Sequence, residues 1–296
     1  MGARVTVGRP LCSDEEAEGR GFFAPECAVR RRVLRETLEA LATPALRERA
    51  RERAAANLAR WRSEASGKPA ASIEVLPGDW GEVTLALTRR HGACFAVLNM
   101  ANAYVPGGAY VEGAPAQEEN MFRRTDCHFH VQPPEYDPRR DRYAPTMTRL
   151  LEARDGRVYL DVANPRVCIR GPEDRAVPDL GYRWLADDEV FPFMELRAAA
   201  RDRRDGSPFD AHDARRRIRA QVDTLKEAGV RHVVLGAFGC GAFQNPADKV
   251  AGIYRDELRS ATAAFDVVAF AIFHAGYGPG NHAPFAQAFE DAQAPP

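Results

Sequence analysis

The chain has 296 residues, 45% hydrophobic and 28% charged, with a formal net charge of −1. That composition is ordinary for a globular protein large enough to bury a core without metal or disulfide staples, and it excludes a global electrostatic pull toward nucleic acid or anionic membrane. Six scattered cysteines without a CxxC pair fit a reducing compartment, and with it a cytoplasmic location, better than a disulfide scaffold. The N-terminus MGARVTVGRP lacks an apolar signal core and the longest apolar runs are strand-sized, so no membrane span is expected.

Residues 1–22 are rich in glycine and charge without a clear period, and are expected to be flexible. From Pro25 the pattern turns helical, with Val29, Val33, Leu34, Leu38 and Leu41 at helix spacing. Thr43-Pro44 caps and opens a second helix whose apolar face is Leu46, Ala50, Ala54, Leu58 and Trp61. Residues 23–70 thus read as a helical extension and 71–296 as the core.

Ser72–Leu76 reads as a short strand, followed by a helix capped by Asp79. Ala93–Met100 is a nearly continuous apolar run, as expected for a strand covered on both faces. It enters a glycine loop, ANAYVPGGAYVEGAP, and Pro115 then stands where a helix begins with Gln117-Glu118-Glu119. Residues 131–148 read as an irregular excursion, Arg157–Val162 and Arg166–Ile169 as two short strands, and 171–190 as irregular again before a strand at Phe191–Leu196.

After Pro208 the order is clear. A helix carries Ala211, Ala214, Ile218, Val222 and Leu225 and ends at Gly229. A strand over 230–238 feeds a second glycine loop, Gly239-Cys240-Gly241-Ala242-Phe243-Gln244-Asn245. Pro246 opens the next helix, 265–273 is the last strand, and a short helix follows over 284–290. This alternation predicts an α/β fold with a mixed, mainly parallel sheet.

Neither loop matches a dinucleotide or Walker fingerprint. Both follow apolar strands, where glycines let backbone amides turn toward a ligand. Two such nests, each leading into a helix N-terminus, suit a diphosphate, though tight turns without a ligand have the same composition. Glu118 and Glu119 in a first helical turn are either favourable charge placement or, beside such a loop, a catalytic carboxylate pair. A bound diphosphate would raise a neighbouring carboxyl toward its protonated form. Asn102 and Asn245 flank the loops, each able to hold a sugar hydroxyl or to tie a turn. Phe243 suits the underside of a ribose or a gap in the core. Cys127, His128 and His130 lack a fourth partner, so no metal site and no cofactor is expected.

The motif PGGAYVEGAPAQEE resembles the GGG…QEE signature of the microbial poly(ADP-ribose) glycohydrolase family, which is built on a macrodomain. VVLGAFGCGAFQNPADKVAGIYRDEL is similar to that family's second phosphate loop and the helix beyond, and RRRVLRETLEAL to its preceding helical segment. The resemblance spans about residues 25–290 and is weak over 131–208. It implies a three-layer α/β/α macrodomain-like fold and release of ADP-ribose from poly(ADP-ribose) or another ADP-ribosylated macromolecule. By the same resemblance Glu119 is the catalytic acid, and Glu118 and Asn102 hold the ribose at the scissile bond. Gln117 opens the QEE motif. Gly107, Gly108 and Ala109 form the first diphosphate loop, and Gly239, Cys240, Gly241 and Ala242 the second. Phe243 lines the distal ribose, and Asn245 ends the second loop. It assigns no adenine-side residue. A mono-ADP-ribosyl-acceptor hydrolase and a non-catalytic ADP-ribose-binding module are the alternatives. One position departs from the signature: Ala109 replaces its third glycine. Alanine is costly there if the backbone needs positive φ, and harmless if it does not.

Overall fold

The computed structural model describes residues 8–65, 71–274, 276 and 280–290. Nine helices are described: α1 Asp14–Gly19, α2 Pro25–Ala40, α3 Pro44–Glu64, α4 Trp80–His91, α5 Gln117–Arg124, α6 Pro145–Leu151, α7 Ala211–Glu227, α8 Ala247–Arg259 and α9 His282–Glu290. The strands are β1 Ser72–Pro77, β2 Ala96–Met100, β3 Tyr136–Asp137, β4 Arg142–Tyr143, β5 Tyr159–Cys168, β6 Phe191–Ala198, β7 His232–Leu235 and β8 Val267–Ile272.

Six strands form one sheet in the order β1-β8-β7-β2-β6-β5. All neighbours are parallel except β5, which runs antiparallel to β6 at the edge. Alternation along the strands feeds both faces. Val268, Phe270 and Ile272 join Leu98, Leu235, Ile218 and Tyr254 on one side. Val267, Ala269 and Ala271 join Val97, Val234, Trp80 and Phe122 on the other. Every one of these residues is buried, which explains the nearly continuous apolar reading of β2, interrupted by Asn99, and the unbroken one of β8. The result is the three-layer α/β/α arrangement.

β2 lies at the point where the strand order reverses. After β2 the chain reaches the edge strand β5 and returns through β6, which lies next to β2; it then crosses to β7 on the other side of β2 and continues to β8. Loops leaving the carboxyl ends of two such strands open a crevice between them. Both glycine loops leave from these two ends.

Several expectations change. Residues 8–22 are ordered, and residues 1–7 of the stretch expected to be flexible lie outside the described residues. A capping box, with Ser13 and Glu16 each accepting from the other's backbone N–H, starts α1. Arg9 is buried against the first glycine loop. Within 131–148 a β3–β4 hairpin forms and α6 begins, with Pro145 at its first position.

The two strands expected over 157–169 are one, β5, with a register irregularity between Asp161 and Arg166. Pro165 there cannot donate to a ladder, and the Asp161 carboxylate accepts the Asn164 N–H instead. Pro192 is tolerated in β6 because pairing with β2 starts only at Met194. On α3 the buried face is Ala54, Asn57 and Trp61, while Leu46 is exposed. Among the described residues no helix is long and apolar enough to cross a membrane.

Candidate active site

A cavity of about 450 Å³ opens at the carboxyl ends of β2, β7 and β8, within the size range of small-molecule sites. Its wall includes Asn102, Ala109, Gln117, Glu118, Glu119, Gly239, Gly241, Ala242 and Phe243. The tertiary fold therefore brings together two segments that lie far apart in the sequence.

The first loop wraps the two glutamates. Gly107 N–H donates to Glu118 Oε1 at 3.0 Å, Asn102 N–H to Glu118 Oε2 at 2.6 Å, and Ala109 N–H to Glu119 Oε1 at 3.0 Å. Gly107 and Gly108 take φ of +71° and +57°. A Cβ on Gly108 would lie 2.4 Å from Glu119 Oε1, and one on Gly107 would lie 2.5 Å from the Tyr110 ring. Glycine is needed at both positions, by conformation and by space. Ala109 is not among the described residues with positive φ, so the methyl group is accommodated at the departure from the signature.

In the first loop the glycine pair faces the carboxylates. Gly107 and Gly108 do not line the cavity. Their amides serve Glu118 and the Val105 carbonyl, so the glycine pair closes the loop onto the carboxylates. The second loop is arranged differently. Cys240 N–H bonds Ala237 O and Gln244 N–H bonds Gly241 O, while the amides of Gly241, Ala242 and Phe243 take no part in the loop's own hydrogen bonds. These three are the amides open to a ligand's oxygens.

Two more expected ligand residues stand behind the wall. Asn245 Nδ2 donates to Arg201 O at 2.9 Å and Gly239 O at 3.0 Å, so this side chain ties the loop instead of reaching the cavity. Cys240 is likewise outside the cavity wall, its thiol pushed up to about 12 by burial. Asn102 lines the cavity, but its Oδ1 caps the turn through Tyr104 and Val105 N–H. Gln117 bridges α5 to the end of β2, accepting from Met100 N–H and donating to Leu98 O, both at 2.9 Å.

Glu118 and Glu119 are 3% and 9% exposed, Glu119 being the more accessible. Burial raises Glu119 above the ordinary carboxyl range, against the Ala109 N–H. Burial also raises Glu118 well above it, and the neighbouring Glu119 charge adds to the effect. Two such groups side by side favour at least one proton on the pair. Elsewhere in the same core, Glu195 is fully buried between Arg166 and Arg197, at 2.9 and 2.7 Å. Its carboxyl is held below the ordinary range because those two guanidiniums outweigh the cost of burial.

Residue-level reading missed a second group of wall residues: Phe22, Asp79, Trp80, Arg175, Arg204 and Phe273. Asp79 and Phe273 follow the carboxyl ends of the neighbouring strands β1 and β8. The same strand-end rule that picked out the glycine loops would have found them. Asp79 caps α4 and pairs with Arg124 at 2.5 Å. The Arg175 guanidinium lies 5.6 Å from the Phe273 ring centre, and that of Arg204 lies 5.6 Å from the Phe243 ring centre. Cys127, His128 and His130 form a 3₁₀ turn instead of a strand-like run. His128 Nδ1 meets Tyr110 OH at 2.8 Å, and His130 meets Asp126 at 3.2 Å.

Residues 36–150 match the family model for the microbial-type PARG catalytic domain. This segment holds the first loop and both glutamates, and stops short of the second loop. No curated protein matches the chain. Among solved structures, poly(ADP-ribose) glycohydrolase from Thermomonospora curvata aligns at TM-score 0.60 and 24% identity, covering 88% of this chain and 99% of that one. The same enzyme bound to the inhibitor ADP-HPD aligns at 0.58 and 23%, covering 87% and 98%. Poly(ADP-ribose) glycohydrolase from Deinococcus radiodurans in complex with ADP-ribose aligns at 0.54 and 23%, covering 81% and 92%. The chain is therefore similar to the microbial-type PARG family over residues 36–150, and it has the macrodomain-like fold of bacterial poly(ADP-ribose) glycohydrolases over most of its length.

Proposed function

We propose that this chain is a poly(ADP-ribose) glycohydrolase, with Glu119 as the acid and base. The observation that carries this reading is the position of Glu119. Its carboxyl group is buried at the wall of a nucleotide-sized cavity, held by the Ala109 N–H, and raised toward its protonated form.

The diphosphate of the bound unit lies along the free amides of Gly241, Ala242 and Phe243, with Phe243 against the distal ribose. Glu118 and Asn102 orient the ribose whose anomeric carbon is attacked. Adenine occupies the end formed by Asp79 and Phe273. Glu119 gives its proton to the ribose oxygen of the leaving unit as the anomeric C–O bond breaks. The oxocarbenium charge that develops is balanced by the neighbouring diphosphate and by the Glu119 carboxylate left after the proton transfer. Water then adds to the anomeric carbon and its proton returns to Glu119. One glycosidic bond is exchanged for one water, ADP-ribose is released, and the enzyme is regenerated.

Residues 23–70 serve as a helical extension of the 71–296 core in this reading. Arg31 on α2 donates to Glu112 O at 3.0 Å, and Arg30 pairs with Glu173 at 2.7 Å. Both contacts brace segments next to the cavity. The deciding experiment measures ADP-ribose released from purified poly(ADP-ribose) by the full chain. Release supports the glycohydrolase reading. ADP-ribose binding without release from polymer overturns it, and assays on mono-ADP-ribosylated acceptors then separate the hydrolase alternative from a binding module.

A further inference from the structure

The N-terminal arm begins its described course against the first glycine loop. Arg9 is 5% exposed. Its Nη1 donates to the carbonyl of Gly108 at 2.5 Å, while Nε and Nη2 grip Asp141 at 2.8 and 2.7 Å. Asp141 also accepts from Tyr136 OH at 2.7 Å, and Glu112 lies 3.6 Å from the guanidinium. Gly8 N–H bonds Val131 O at 2.8 Å, and a Cβ on Gly8 would collide with the His128 ring at 2.0 Å. The arm is seated tightly at this point, and the Arg9 guanidinium is held by Gly108, Asp141 and Glu112 together.

The carbonyl that Arg9 holds belongs to the peptide unit joining Gly108 to Ala109. The other end of that planar unit is the Ala109 N–H, which donates to Glu119 Oε1 at 3.0 Å. A peptide is rigid, so holding its oxygen fixes the direction of its N–H. Gly108, with φ of +57° and no side chain, supplies little resistance to rotation of that plane on its own. A cation on the carbonyl oxygen also polarises the amide and makes its N–H the stronger donor.

We propose that Arg9 is a positioning residue for the glycohydrolase reaction, acting through the Gly108–Ala109 peptide to set the orientation of the Glu119 carboxyl group. The inference rests on the functional reading above and extends it to a residue on a distant segment of the chain. Because the N–H favours the ionised carboxylate, a weaker donor makes Glu119 hold its proton to higher pH.

The test compares the full-length wild type with Arg9→Ala and Arg9→Lys in three measurements: kcat and KM for release of ADP-ribose from poly(ADP-ribose), the pH profile of kcat, and the affinity for ADP-ribose. In Arg9→Ala the expected result is a fall in kcat of about 10- to 100-fold, the scale of a small misplacement of a reacting group, with a smaller change in KM. The alkaline limb of the profile moves to higher pH. Arg9→Lys recovers part of the kcat, since an ammonium donates to Gly108 O but does not make the forked contact with Asp141.

Unchanged kcat and an unmoved limb in Arg9→Ala, with only the melting temperature lowered, would overturn the proposal. So would a fall in kcat with no limb shift and no lysine rescue, which marks a merely structural arm. Should Arg9→Ala not fold, Arg9→Gln carries the same readouts. A wild type that releases no ADP-ribose sinks the glycohydrolase reading itself; an active wild type with indifferent Arg9 variants sinks only this inference.

Discussion

Ala109 and Glu119 are joined by a 3.0 Å hydrogen bond from backbone amide to carboxylate, linking the end of the first glycine loop to the first turn of α5. The contact uses one Glu119 oxygen and leaves the carboxyl at the cavity wall. Glu119→Gln preserves the acceptor for the Ala109 N–H but removes the transferable proton. Release of ADP-ribose from polymer is expected to fall about 10²- to 10⁴-fold, the usual contribution of general acid–base catalysis, with ADP-ribose affinity retained. Steady-state assays beside calorimetric titration check this, and a variant with near-wild-type turnover removes Glu119 from the mechanism.

The same substitution has a stability signature. Burial raises the Glu119 pKa above its unfolded value, so the folded state binds the proton more tightly than the unfolded chain does. Folding stability therefore declines as pH rises from the unfolded pKa toward the folded one, and stays reduced above it. The amide introduced by Glu119→Gln does not ionise. The stability of this variant relative to wild type is expected to improve from about pH 4, near the ordinary carboxyl value, to about pH 7. Denaturant melts at the two values decide it; a difference that is flat or reversed contradicts the burial argument.

Gly108 and Ala109 should answer oppositely to a single methyl group. Gly108→Ala places a Cβ 2.4 Å from Glu119 Oε1 at a backbone φ of +57°. The conformational cost alone is about 1–2 kcal/mol, and the displaced carboxyl should depress turnover as well. Ala109→Gly relieves no positive φ, so it changes stability by less than about 1 kcal/mol and leaves the loop in place. Thermal melts and turnover of both variants check the contrast. A gain in activity in Ala109→Gly would mean that the methyl group does disturb the loop.

Phe273 is 44% exposed at the mouth of the cavity, with Arg175 across its ring. An exposed aromatic carries little of the fold, and in the proposed binding mode the Phe273 ring stacks on the base. Phe273→Ala is expected to weaken ADP-ribose binding by about 1–3 kcal/mol, the scale of one base–aromatic stack, with the melting temperature nearly unchanged. Binding of ribose 5-phosphate, which has no base, should be far less affected. Equal losses for both ligands would place the base elsewhere.

Much of the architecture was legible in the residues. Strands buried on both faces read as apolar runs, and Thr43, Asp79 and Gly229 marked helix ends through chemistry confined to one turn. The polar strand-end loops and the QEE turn were local signals too, which is why Glu118 and Glu119 stood out before any fold was known. Short irregular segments were harder to read. The 131–148 stretch gains its hairpin and α6 from contacts with other loops, including Tyr143 N–H to Tyr104 O at 2.8 Å, and no periodicity announces such contacts.

By itself, the sequence determined what depends on neighbours along the chain: helix caps, strand alternation, the glycines required at positive φ, and the adjacent carboxylates. The tertiary structure alone decided which atoms face the cavity. It turned the amides of Gly107 and Ala109 toward the glutamates, withdrew Asn245 into its own loop, seated Arg9 on the first loop and set Phe273 in the cavity wall. The reason is geometric. Direction and burial arise from packing among residues far apart in sequence, and a hydrogen bond such as Arg9 to Gly108 O exists only once both partners have been carried to the same place.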